Sequence, residues 1–222
     1  LVGFMFGVGM FGSMYVLPIF AQTVLGYTAF KAGLLLMVSG LAMMPVFPIG
    51  GRLAQQPRSG IPIATGMLIF GASSLVLAGA DTYSTFWFVA LWSTVGRMGL
   101  GIALPALQIG AMRELSPELL PYGAGTLSFV RMTGAAAGTN MLAIFLDQRV
   151  EFHAEHLAAT QTDRNSSTQE LLDKIGGLLL EHGMTGAEQA SIALRYLSQM
   201  VTAQATGLAF QDGFLALAGC FL

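Results

Sequence analysis

Few side chains able to do polar chemistry stand inside the long apolar runs of this 222-residue chain, chief among them Arg97, Arg131, Gln22, Gln108 and Asn140. Arg97 lies about eleven residues into the run that begins at Phe86, a depth of about 16 Å at 1.5 Å per helical residue. A guanidinium at that depth must face a bundle interior or an aqueous path and find a carboxylate, a carbonyl or a substrate. Two roles stay open for it: a part in a translocation path or its coupling, or a structural latch onto carbonyls of neighbouring helices. Arg131 sits about two turns into the next run, where its long side chain could snorkel to the surface or pin a helix. Gln22 and Gln108 are neutral amides that could bind a ligand in a cavity, although bonding between helices is the commoner use. Gly134 and Gly138 bracket three alanines and make a surface that another helix can approach closely, and Asn140 can bond across helices beside it.

Other constellations do not carry chemistry. His153 and His156 have an i, i+3 spacing that could share a metal, but no Cys or third His accompanies them. They are expected as solvated residues on a helix face, with no metal site. Gly96, Gly99 and Gly101 do not lie between a strand and a helix, so they do not read as a phosphate-cradling loop. No nucleophile, base and orienting group stand together, which disfavours an enzyme; no catalytic residue and no cofactor are expected. Asp212 is expected as a solvated carboxylate near an interface. The single Cys220 cannot form an internal disulfide and is expected as a small buried side chain.

The elements that must position these residues follow from composition. Of the residues, 54% are hydrophobic and 10% charged, with a mean hydropathy of +0.67, whereas about 25% charged is typical of a soluble domain. From Ala32 to Gly51 there is no ionisable side chain, and a run of about 20 such residues matches the hydrocarbon thickness of a bilayer. The fold class expected is therefore an all-α membrane protein, a six-helix transmembrane half-bundle. Its spans are expected at about 1–22, 32–51, 61–80, 86–112, 125–146 and 208–222. Both ends fall inside apolar runs, so the last span is expected to be incomplete and the chain to be an internal fragment of a longer protein.

Within these spans, Gly3 and Gly7 form a GxxxG step that favours close helix approach, and Pro18 should bend the first span. Phe86, Trp87 and Phe88 open the fourth as an interfacial aromatic belt. Arg52, Arg58 and Arg113 fall on one side and only Lys31 on the other, which places the arginine loops in the cytoplasm by the positive-inside rule. The net charge of -2 says little about partners, because most charges sit in one segment, Asp147 to Arg195, within a stretch of about 147–205 expected as an amphipathic helical loop on the outer face. Two capping boxes mark it, Ser167 with Glu170 and Thr185 with Glu188. The apolar stripes Leu171, Leu172, Ile175, Leu178, Leu179 and then Ile192, Tyr196, Leu197, Met200 follow them. Nothing in the pattern suggests nucleic acid; the lipid bilayer is the expected partner.

Several motifs, in order, resemble a known family. These are Tyr15-Val-Leu-Pro18, Gln22-Thr-Val-Leu-Gly26-Tyr27, Ala32-Gly33-Leu, Pro48, Gly51-Arg52-Leu-Ala, Arg97-Met-Gly-Leu-Gly, Gly123-Ala-Gly-Thr and Phe129-Val-Arg131-Met-Thr-Gly134-Ala-Ala-Ala-Gly138-Thr. Together they resemble the carboxyl-terminal half of the fourteen-span drug:proton antiporters of the EmrB/QacA type, within the major facilitator superfamily. The resemblance implies that Leu1 opens the ninth helix and that two six-helix halves enclose a central cavity by rocking. It also implies export of small lipophilic compounds driven by the proton gradient, from a multi-pass position in the cell (inner) membrane, together with a missing amino-terminal half. Gln22, Arg97, Gln108 and Arg131 would then line or brace the cavity, and Gly134 and Gly138 would be helix contacts. The outer loop would dock a periplasmic adaptor, and through it an outer-membrane channel, or would simply cap the vestibule. Gln55-Gln56 stands where the family often has an Asp-Arg pair, and no proton-binding residue transfers onto this chain. Export of an endogenous metabolite or siderophore, and a non-transporting membrane scaffold, remain the alternatives.

Overall fold

The computed structural model describes residues 1–55, 60–113, 115–160, 169–170, 173–174 and 187–222, with backbone only for 187–190. Among the described residues six long helices occur: α1 Val2–Thr23, α2 Ala29–Ala54, α3 Gly60–Leu77, α4 Phe86–Met112, α5 Leu120–Thr160 and α6 Ala187–Gly219. A 3-10 turn, Pro117–Leu119, precedes α5. The first five are long and apolar enough to cross a membrane, and no strand occurs among the described residues. The capping boxes at Ser167 and Thr185 and the stripe from Leu171 to Leu179 lie outside the described residues.

Local chemistry sets the breaks. Gly26 takes φ +64° between α1 and α2, a left-handed geometry that costs a glycine little. Thr28 then caps α2 by accepting a hydrogen bond from the Lys31 amide at 3.3 Å. Thr85 does the same for α4, accepting from the Phe88 amide at 3.4 Å. Such caps satisfy amides that the first helical turn leaves without partners. At the same entrance the Lys31 ammonium rests 3.8 Å from the centre of the Tyr27 ring and 5.8 Å from that of Phe86.

The helices form two compact units, Leu1–Leu146 with Phe210–Leu222, and Asp147–Ala209. In the first unit α4 is the hub, packed on α2 and α3; 56% of its most apolar stretch is buried, against 22% for α2 and 28% for that of α5. Helices lack a hydrophobic drive to associate in lipid, so close packing through small residues has to hold them. On α3 and α4, a methyl group at Gly66 would strike the Gly99 carbonyl, and one at Gly99 would meet the Gly66 carbonyl. α1 and α5 run parallel: Gly3 faces Leu127, Gly7 the Arg131 carbonyl, and Gly134 and Gly138 face Phe4 and Val8.

Two hydrophobic clusters fill the unit. One joins Val16, Leu17 and Phe20 to Leu35, Leu77, Val89, Leu142, Phe210 and Phe214. The other joins Phe6, Phe70, Leu100, Leu104, Leu107 and Phe221. The Phe221 ring fills a notch at Gly9 and Leu222 packs at Gly71, while the neighbouring Cys220 is exposed. The expectation of a buried cysteine fails because the turn that follows α6 commits Phe221, not Cys220, to the interior.

In the second unit, Ala154 and Ala158 of α5 and Leu194, Leu197, Ser198 and Val201 of α6 line a groove of about 380 Å³. The expected stripe of α6 is met in part: Ile192 and Leu197 are half-buried, whereas Tyr196 and Met200 are exposed and the buried residue is Ala193.

Candidate functional site

Arg97 is only 6% exposed, as are Ser93 one turn before it and, more deeply, Ser73 and Ser74 at 2% and 3%. Together with Ser13 these side chains line a small cavity of about 20 Å³ closed by Leu17, Phe70, Leu77, Phe214 and Leu217. The cavity lies between the two hydrophobic clusters along every helix that reaches it. On α1, Ser13 falls between Phe6 and Val16; on α3, Ser73 and Ser74 fall between Phe70 and Leu77; on α4, Ser93 and Arg97 fall between Ala90 and Leu100. A polar layer therefore divides the core.

The serines do not need one another. Ser13 Oγ donates to the Met10 carbonyl at 2.9 Å, Ser73 and Ser74 to that of Phe70 at 2.8 and 2.9 Å, and Ser93 to that of Ala90 at 3.1 Å. Back-bonding of this kind lets a hydroxyl sit in an apolar helix. Arg97 is different: its Nη2 is buried and has no hydrogen-bond partner among the described residues. Gly96 allows the approach, since a methyl group there would collide with Ser73 Oγ.

The remaining expected site residues are placed apart from this cavity. Gln22 is exposed at the end of α1 and its Nε2 donates to its own helix at the Pro18 carbonyl, 3.0 Å away. Gln108 is exposed near the end of α4, where it lines an open cleft of about 500 Å³ with Ala54, Gln55, Ile109, Met112 and Arg113. Arg131 is half-buried on α5; its Nε is buried without a partner among the described residues, and its carbonyl abuts Gly7. Gly134 and Gly138 are buried in the α1–α5 contact. Asn140, expected to bond between helices, is exposed and its Nδ2 donates to the Ala136 carbonyl of its own helix at 2.8 Å.

Asn140 belongs to a surface that the sequence reading did not assemble. Thr126, Thr133 and Asn140 recur every seven residues, so they share one face of α5. All three are exposed, interleaved with Tyr122 at 75% and Phe129 at 73%. Thr126 and Thr133 donate to the carbonyls of Tyr122 and Phe129, each at 2.9 Å. The seven-residue spacing was the available signal, hidden because threonine in an apolar run is unremarkable when taken singly. Elsewhere, the His153 and His156 rings lie 5.4 and 4.6 Å from that of Phe152. Asp212 is half-buried on α6, next to Gln211, whose Nε2 donates to the Ala80 carbonyl at 3.0 Å.

The chain is similar in sequence to known transport and resistance proteins. The chain is 26% identical over 94% of its length to the "Colistin resistance protein EmrB" of Acinetobacter baumannii, covering 40% of that protein. It is 27% identical over 67% of its length to the "Multidrug transporter protein MdtP" of Bacillus subtilis, covering 28% of it. It is 29% identical over 66% of its length to the "Methylenomycin A resistance protein" of Streptomyces coelicolor, covering 31%. The chain thus spans well under half the length of these curated relatives. The sequence profile described as Major Facilitator Superfamily matches residues 1–139; with more than half of the chain matched, the chain belongs to the Major Facilitator Superfamily.

Proposed function

We propose that this chain is the carboxyl-terminal half of a proton-coupled exporter of lipophilic compounds that works by alternating access in the cell (inner) membrane. The observation that carries the reading is the uncovered face of α5, where Thr126, Thr133 and Asn140 alternate with Tyr122 and Phe129. Polar groups inside a membrane face a bundle interior or a wetted path, not lipid. Aromatic rings beside them add surface suited to amphipathic organic molecules. The printed names of the relatives, multidrug transport and resistance to colistin or methylenomycin A, support the same class of cargo. Proton coupling would reside mainly in the half that this chain does not include, and no proton-binding residue is assigned to it.

A narrower reading, export of a single compound, is favoured by one observation: a relative is named for resistance to one antibiotic, methylenomycin A. The deciding experiment is efflux of fluorescent lipophilic cations from energised cells expressing the full-length transporter, with and without a protonophore. Efflux that collapses with the protonophore supports the coupled exporter. Well-inserted protein that moves none of a broad dye set would refute broad efflux, and a narrow cargo, an endogenous metabolite or a scaffold role would replace it. Binding of a periplasmic adaptor by the loop around 147–205 is part of the same proposal and is tested by co-purification from the native membrane.

A further inference from the structure

We infer that the cavity beside Arg97 is a binding site for one water molecule, held between the guanidinium and the oxygens of the serine layer. The size of the space selects the occupant class. Its volume of about 20 Å³ exceeds the roughly 10–15 Å³ that one water requires. Drug-sized ligands occupy pockets of roughly 300–1,000 Å³, so the cargo does not fit.

Hydrogen-bond inventory then selects among small occupants. Arg97 Nη2 is buried, has no partner among the described residues, and can only donate. The hydroxyl protons of Ser13, Ser73, Ser74 and Ser93 are committed to helix carbonyls. What the serines present to the cavity is therefore lone pairs. The occupant has to accept from the arginine and donate to serine oxygens at the same time. Water does both. A halide accepts only, and would face the serine lone pairs with its own negative charge. The water joins α1, α3 and α4 at a depth where the two hydrophobic clusters separate, and it lets a permanent cation remain buried beside hydroxyl oxygens. This site stands independently of the cargo proposed above.

The test is X-ray hydroxyl-radical footprinting of the full-length transporter in nanodiscs, carried out in ordinary water and in H2¹⁸O. Radiolysis of a bound water oxidises the side chains that surround it, so Phe70 and Phe214 should label several-fold faster than Phe6, which is equally buried but does not line the cavity. The label should carry ¹⁸O after exchange. Gly96→Ala, which sets a methyl group against Ser73 Oγ, should reduce Phe70 and Phe214 to the Phe6 rate. Where that variant does not fold, Ser93→Val serves as the second closure of the site. Equal labelling of Phe70, Phe214 and Phe6 in the unaltered protein overturns the inference. So does a thermal stabilisation by chloride over gluconate that Arg97→Gln abolishes, since that would identify an anion site.

Discussion

Replacing Gly134 with alanine puts a methyl group against the backbone of α1. The added carbon would lie 2.9 Å from both the Cα and the carbonyl carbon of Phe4, and closer still to the Phe4 oxygen. That is about 0.6 Å inside the roughly 3.5 Å at which carbon contacts become optimal. The obstacle is backbone on a packed helix, so no side-chain rotation relieves it and α1 and α5 must separate. Overpacking of this kind costs about 1–3 kcal/mol, partly offset by about 1 kcal/mol from the better helix propensity of alanine. The net expectation is a loss of up to about 2 kcal/mol, or several degrees in Tm at roughly 2–4 °C per kcal/mol for a domain of this size. Gly40→Ala is the internal control: it is also helical, but nothing lies within 4 Å of the added methyl, so only the propensity gain remains and Tm should hold or rise. Gly138→Ala meets Val8 Cα at 2.7 Å and should behave like Gly134→Ala. The double variant should cost less than the sum, because one separation accommodates both methyls. Thermal unfolding of the nanodisc-embedded transporter, followed by tryptophan fluorescence and size-exclusion recovery, reads all four proteins. If Gly134→Ala melts at or above Gly40→Ala, the α1–α5 contact is not as close as described and the reasoning fails.

Three further outcomes are expected. Arg97→Met, which keeps most of the side-chain volume, should leave Tm within about 1 kcal/mol or raise it, because an apolar replacement removes a buried charge. Arg97→Ala should lower Tm, by about 1 kcal/mol for each further 40 Å³ of cavity left unfilled, and should reduce transport while the protein still inserts; loss of inserted protein would instead make the residue a structural latch. Thr133→Val and Asn140→Leu should reduce efflux of lipophilic cations with little change in membrane level, as measured by dye efflux normalised to surface-biotinylated protein; unchanged efflux would remove the α5 face from the path. Lys31→Gln should lower Tm by an amount equivalent to about 0.5–1 kcal/mol, the worth of an exposed cation–π contact, and the loss should be absent in a Tyr27→Leu background.

Legibility in the sequence tracked how local each determinant is. The fourth run begins after Thr85 and ends at Met112 in both the reading and the structure, because an apolar composition and a polar turn are local signals. The fifth apolar run was read to stop near Leu146, yet α5 continues to Thr160. The charges at Asp147 and Arg149 end the apolar surface but do not end the helix, since neither Gly nor Pro occurs between Thr139 and Ile175. Arg97 stood out because one charge in an apolar run is conspicuous. The serines around it did not, since each is satisfied within its own helix and only tertiary packing of α1, α3 and α4 collects them. The lone-pair side of a hydroxyl has no signature in a linear pattern.

The polar layer also answers a problem that apolar helices share. Two smooth hydrophobic surfaces can slide along one another by a turn, about 5.4 Å, with little loss, since one leucine serves much as another. Ser13, Ser73, Ser74, Ser93 and Arg97 remove that indifference. A slip of α3 against α4 would carry Arg97 away from serine oxygens and press it onto Phe70 or Leu77, the residues flanking the layer. The layer thereby indexes the helices like the teeth of a key, fixing their vertical alignment while the apolar clusters on either side supply only adhesion.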